Sequence, residues 1–106
     1  MFCQCKNLIE PPELPATELN DSCYSSMFYG CVSLKKTPEL HASVLATRCY
    51  DFMFSNCILL TKGPELPAMK LAPQCYKGMF CGCLSLTVAP VLPAKELEID
   101  CYRSMF

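Results

Sequence analysis

The sequence predicts an α/β solenoid with a parallel β-sheet along one side and short helices along the other. Three observations predict it. A motif recurs every 26 residues with no insertion, as in "CYSSMFYGC" at 23–31, "CYDFMFSNC" at 49–57 and "CYKGMFCGC" at 75–83. Each motif carries an apolar stripe at near-helical spacing. Each is followed by a short β-prone segment that ends at a proline.

The period divides the chain into one solenoid domain, 1–106, of four copies: 1–26, 27–52, 53–78 and 79–104, with Met105 and Phe106 opening a fifth. Ten of the 26 columns never change, and in the first copy they are Met1, Phe2, Cys5, Leu8, Pro12, Leu14, Ala16, Leu19, Cys23 and Tyr24. A fixed period of this length marks a solenoid or array, in which each unit buries its faces against its neighbours. Met1 occupies a column that holds Met in every copy, so the segment reads as part of a longer array.

The helix comes first in each unit. Cys75, Tyr76, Met79, Phe80 and Cys83 follow an i, i+1, i+4, i+5, i+8 pattern, one stripe of a short helix. Pro73 suits a first helical position. Asn20 or Asp21, and Thr47, are candidate N-caps. The column Gln4, Gly30, Asn56, Gly82 suits a left-handed helix end. The strand follows, with "LIE", "LKK", "LTK" and "LTV" as its four copies. Pro12, Pro38, Pro64 and Pro90 then end the pairing, because proline cannot donate to a ladder. Leu34, Leu40, Leu45, Cys49, Tyr50, Met53, Phe54 and Cys57 are expected core residues. Lys77, Gly78 and Cys81 are expected to face outward.

Composition removes several function classes. The formal charge is −1, with one His and no Trp, and no basic patch suggests nucleic acid. No apolar run approaches the ~20 residues that cross a bilayer, and no basic leader with an apolar stretch marks a signal peptide in this segment. Catalysis needs unlike groups converging at one place, whereas an array supplies like groups at even spacing. The chain shows no phosphate loop and no nucleophile–base pair. It is therefore read as not an enzyme, with no catalytic residue, no cofactor and no metal site.

The aromatic–x–Gly–Cys–x–Ser–Leu run, seen as Phe28-Tyr29-Gly30-Cys31-Val32-Ser33-Leu34 and Phe80-Cys81-Gly82-Cys83-Leu84-Ser85-Leu86, resembles the BspA-like type of leucine-rich repeat, found in surface proteins. The "APxLPA" continuation is similar. The resemblance covers the whole chain and implies a leucine-rich-repeat solenoid at the cell surface or outside the cell, with a binding or adhesive role.

Eight of the ten cysteines stand in two columns, Cys23, Cys49, Cys75, Cys101 and Cys5, Cys31, Cys57, Cys83. Across one helix the two columns would lie about 12 Å apart, beyond the ~7 Å that a disulfide allows. Between units the helix-side column would be spaced at the ~8–10 Å of packed helices. Buried free thiols are the reading taken, with a disulfide ladder in the sheet-side column and a metal site through the Cys3/Cys5 or Cys81/Cys83 pairs as the alternatives. Small buried hydrophobes are the plainest of the three. The tyrosine and phenylalanine columns read as stacked packing. His41 stands where other copies have proline, and reads as a surface corner residue.

Two non-catalytic functions follow. In the first, the solenoid is a scaffold for protein–protein interaction or adhesion. Its strand-face residues Lys35, Lys36, Lys62, Glu39, Glu65 and Val88 would read a protein or glycan partner on a surface. Glu39 and Glu65 are expected to lean toward Lys36 and Lys62. In the second, the array is a segment of a self-associating fibre. Met1, Phe2, Met105 and Phe106, all core-column residues, would be wet at the ends and would drive head-to-tail association.

Overall fold

The computed structural model describes residues 4–14, 17–88, 90–94 and 97–106. Successive copies stack in register, and residues 26 apart lie over one another along the coil axis. Tyr24, Tyr50, Tyr76 and Tyr102 form one column of near-parallel rings with centroids 6.0, 6.0 and 5.8 Å apart. Phe28, Phe54, Phe80 and Phe106 form a second, at 5.6, 5.8 and 5.8 Å.

The elements within each coil differ from the α/β leucine-rich-repeat expectation. Among the described residues there is no helix, and strand pairing is reduced to three isolated parallel bridges, Glu18 to Val44, Val44 to Lys70 and Lys62 to Val88. The predicted helices are replaced by flat ribbons of overlapping turns at 20–31, 46–57, 72–83 and 98–105. In the second ribbon the amides of Cys49, Asp51, Met53, Ser55 and Cys57 each donate to the carbonyl three residues back. The intervening amides of Arg48, Tyr50, Phe52, Phe54 and Asn56 point along the coil axis and donate to the third ribbon, at 2.8–3.0 Å. Every backbone amide of this stretch is thus paired, half within the coil and half between coils. In all the backbone-to-backbone bonds between described ribbons the donor belongs to the earlier coil.

The geometry repeats every four residues. Ser22, Ser26 and Gly30, then Arg48, Phe52 and Asn56, then Gln74, Gly78 and Gly82 all have positive φ, between 52° and 76°. These are the third positions of alternate turns, where a type II turn places its left-handed residue. A run of four-residue turns sets Cys49, Tyr50, Met53, Phe54 and Cys57 on one face as a helix would, but the face is flat and pairs with its neighbour. Asp21, a candidate helix cap, accepts instead from the Thr47 amide of the next coil at 3.1 Å.

The sheet fails for a local reason. Pro64 and Pro90 follow the bridged pair Lys62 and Val88 by two positions, so that ladder ends after a bond or two, and Pro12 and Pro38 hold the same column in the first two coils. What remains is Lys35 donating to Ile9, and Thr87 and Val88 both donating to Thr61.

The core runs through all four coils between the ribbons and the proline corners. All eight expected core residues are buried, with Cys49, Met53, Phe54 and Cys57 at 0% exposure. Burying an aromatic or aliphatic side chain is worth about 1.5–3 kcal/mol, so the stacked columns dominate stability. Leu97 is 62% exposed and stands outside this core. Gly78, expected outward, is buried beneath the ring of Phe52.

Candidate functional site

The proline corners of successive coils form a groove along the coil axis. One hollow of about 630 Å³ is lined by Lys35, Lys36, Thr37, Pro38, Glu39, Leu40 and His41 of one coil and by Lys62, Gly63, Pro64, Glu65 and Pro67 of the next. A second, of about 360 Å³, shares Lys62, Gly63, Pro64, Glu65 and Pro67 and continues to Leu66, Val88, Pro90, Val91 and Pro93. The six sequence-predicted face residues, Lys35, Lys36, Lys62, Glu39, Glu65 and Val88, thus stand along one groove. Sequence reasoning missed Val91, Leu66 and the proline rings as lining groups. Their signal was present in the repeat alignment, where Val91 takes a position held by Glu13, Glu39 and Glu65.

Proline builds this groove. It fixes φ and removes a donor, so the backbone leaves the ladder at each corner and exposes the residues on either side. The lysine and glutamate columns flank the Pro38, Pro64 and Pro90 column by sequence.

The charge pairing differs from expectation. Lys36 meets Glu10 of the preceding coil at 3.5 Å, with both side chains about 70% exposed. Glu39 meets His41 Nε2 at 3.7 Å rather than a lysine. Lys35, Lys62 and Glu65 form no ion pair with any described residue. Exposed pairs of this kind contribute little to stability, so this part of the surface is not held rigid by its charges.

Eight cysteines, Cys5, Cys23, Cys49, Cys57, Cys75, Cys81, Cys83 and Cys101, are free thiols, Cys31 is buried, and Cys3 lies outside the described residues. The distance argument for the ribbon column needs correction. Hydrogen-bonded ribbons are spaced at roughly 4.8 Å, not at helix packing distance, so separation alone does not keep Cys49 and Cys75 apart. Cys57 Sγ donates to Phe28 O at 3.1 Å and Cys83 Sγ to Phe54 O at 3.0 Å, each reaching the preceding coil. Burial pushes the thiols up, to about 12 for Cys49 and Cys57 and about 11 for Cys75 and Cys83; thiols of the same column add to the shift at Cys49, Cys57 and Cys75, and Cys81 adds to it at Cys83. Tyr50 and Tyr76 are raised too, again mainly by burial. Thiols so raised are poor nucleophiles at neutral pH. No group of three or more His, Cys, Asp or Glu is placed to hold a metal among the described residues.

Of the residues expected to drive end association, Met1 and Phe2 lie outside the described residues. Met105 is buried, at 3% exposure, and so is not wet as expected. Phe106 stacks one face on Phe80 and is 60% exposed. No described helix is long and apolar enough to cross a membrane.

Compared with family models, with curated proteins and with solved structures, the chain finds no match.

Proposed function

We propose that the chain is a non-catalytic coil scaffold that binds a protein or glycan partner through its proline-cornered groove, at a cell surface or outside the cell. The observation that carries this reading is the groove itself. It repeats lysine and glutamate positions at coil spacing and leaves Lys35, Lys62 and Glu65 without ion-pair partners among the described residues. Grooves of a few hundred Å³ with a few polar groups at the rim suit ligand recognition. The likeness to BspA-like repeats supports the surface location and the adhesive role, although the helices and sheet implied by that likeness are replaced by turn ribbons. The test is binding of the chain to arrayed cell-surface proteins and glycans, with the Lys62→Glu/Glu65→Lys double variant alongside. Partners lost on charge reversal support the reading; partners indifferent to it, or none, overturn it.

A second reading is a segment of a self-associating repeat fibre, supported by the stacking of like rings from one coil to the next. It predicts association in sedimentation velocity that Phe106→Glu abolishes.

A further inference from the structure

The fourth coil departs from the repeat at two outward positions. Glu10, Lys36 and Lys62 are followed in their column by Val88, and Glu13, Glu39 and Glu65 by Val91. Val88 is 51% exposed and Val91 80%. Stacking against another coil does not account for the change, because the charged counterparts of both valines are solvent-exposed in the earlier coils as well. Val88 and Val91 line one hollow together, so the two changes make a single apolar wall there.

The two valines line the smaller hollow, and Lys62 stands where that hollow meets the larger one. Lys36 has the Glu10 carboxylate at 3.5 Å, whereas Lys62 has a valine on its far side and no ion-pair partner among the described residues. An ammonium beside a valine- and proline-walled hollow is matched by an occupant that brings a carboxylate and a large apolar side chain together. Glu65, which lines both hollows beside Lys62, and Glu39 in the larger one disfavour a polyanionic occupant or an anionic lipid surface. We infer that the groove takes an extended peptide of a partner protein, with a large apolar side chain in the Val88–Val91 hollow and an acidic side chain on Lys62. In an extended chain, residues two apart face the same way, ~7 Å from each other, so an acid–x–apolar order presents both groups to the groove. This inference rests on the binding reading above and names the ligand class for the same site.

The test uses fluorescence anisotropy with four synthetic peptides built on repeats of Asp-Ser-Phe, Asp-Ser-Ser, Lys-Ser-Phe and Ser-Ser-Phe. The Asp-Ser-Phe peptide is expected to bind at least tenfold more tightly than the other three. Lys62→Glu is expected to weaken it at least tenfold, and Val91→Glu to do the same. Glu at position 91 restores the residue of the other copies, so the fold is retained, and unchanged circular dichroism checks this. Equal binding of the Lys-Ser-Phe peptide, or binding indifferent to Lys62 and Val91, overturns the inference. If no peptide binds but an arrayed glycan does, in a Lys62-dependent way, the peptide class is wrong and the binding reading stands. If no probe depends on groove residues, both fall. Self-association abolished by Val91→Glu makes a second copy the occupant and likewise overturns the peptide.

Discussion

The ring of Phe52 lies across the backbone of Gly78 one coil later, in the space a side chain at position 78 would occupy. Both residues have positive φ, 52° and 60°, and Ser26 and Ser104 hold the same conformation in the same column. Backbone conformation alone therefore does not require glycine at 78; the Phe52 ring does. Lys77 Nζ, 5.9 Å from the centroid of that ring, adds a weak cation–π contact over it.

Gly78→Ala is accordingly expected to destabilise the chain by about 1–3 kcal/mol through overpacking. Placed on a Phe52→Ser background, the same change is expected to cost much less. Urea denaturation of the two single variants and the double variant gives the coupling. Additive effects would mean that the ring moves aside freely.

Phe54 sits at 0% exposure between Phe28 and Phe80, at 5.6 and 5.8 Å. Phe54→Ala is expected to cost roughly 3–5 kcal/mol, as for other buried aromatics. A loss below about 1 kcal/mol in chemical denaturation would show that the ring column contributes little.

How much of this was legible follows from what a repeat encodes. Columns that never change, such as Tyr24 and Phe28, announce that copies stack, and they do. The helix was misread because Cys75, Tyr76, Met79, Phe80 and Cys83 fit a period of 4 nearly as well as 3.6. Over eight residues the two differ by about 80°, too little for so short a stripe to decide. The deciding signal lay between the apolar positions. Gly78 and Gly82 recur four apart, and glycine inside a helix is unfavourable. The second coil hides that signal, since Arg48, Phe52 and Asn56 hold the left-handed positions there. The strand was overread because proline was taken to end a ladder that it nearly abolishes. The groove residues were legible as variable positions beside fixed prolines. Val91 was legible as a break in the glutamate column, but its place as a lining residue shows only with the hollow past Lys62.

Asp51 is fully buried in the ribbon, with one carboxylate oxygen held by Arg48 Nε at 2.8 Å and the other without a partner. The fourth coil carries the reverse order, Asp100 with Arg103 at 3.5 Å, at a half-exposed surface. Arg48→Ala strands a buried carboxylate and is expected to cost about 1–3 kcal/mol. Arg103→Ala frees an exposed one and is expected to cost under about 1 kcal/mol. Thermal melts of the two variants compare them directly. Equal losses would mean that Asp51 is reached by water or by Lys77 of the next coil.

Alkaline pH tests the thiol columns. Cys49 and Cys57 are pushed up to about 12, and Cys75 and Cys83 to about 11, from an ordinary value of 9.0, mainly by burial. Above pH 9 the unfolded chain releases these protons while the folded chain keeps them, so the unfolded state binds fewer protons and stability falls as pH rises. The thiol contribution is complete below about pH 9 and is lost as pH rises through 11 and 12. Each fully titrating group contributes a slope of up to ~1.4 kcal/mol per pH unit. Urea midpoints under reducing conditions are therefore expected to stay level from pH 7 to pH 8.5 and to drop steeply between pH 9 and pH 11. Cys57→Ala should be weaker at pH 7, because its thiol donates to Phe28 O, and should show a shallower alkaline slope. A slope unchanged by that substitution, or a midpoint level to pH 11, would mean that the thiols ionise as readily in the fold as out of it and that water reaches the columns.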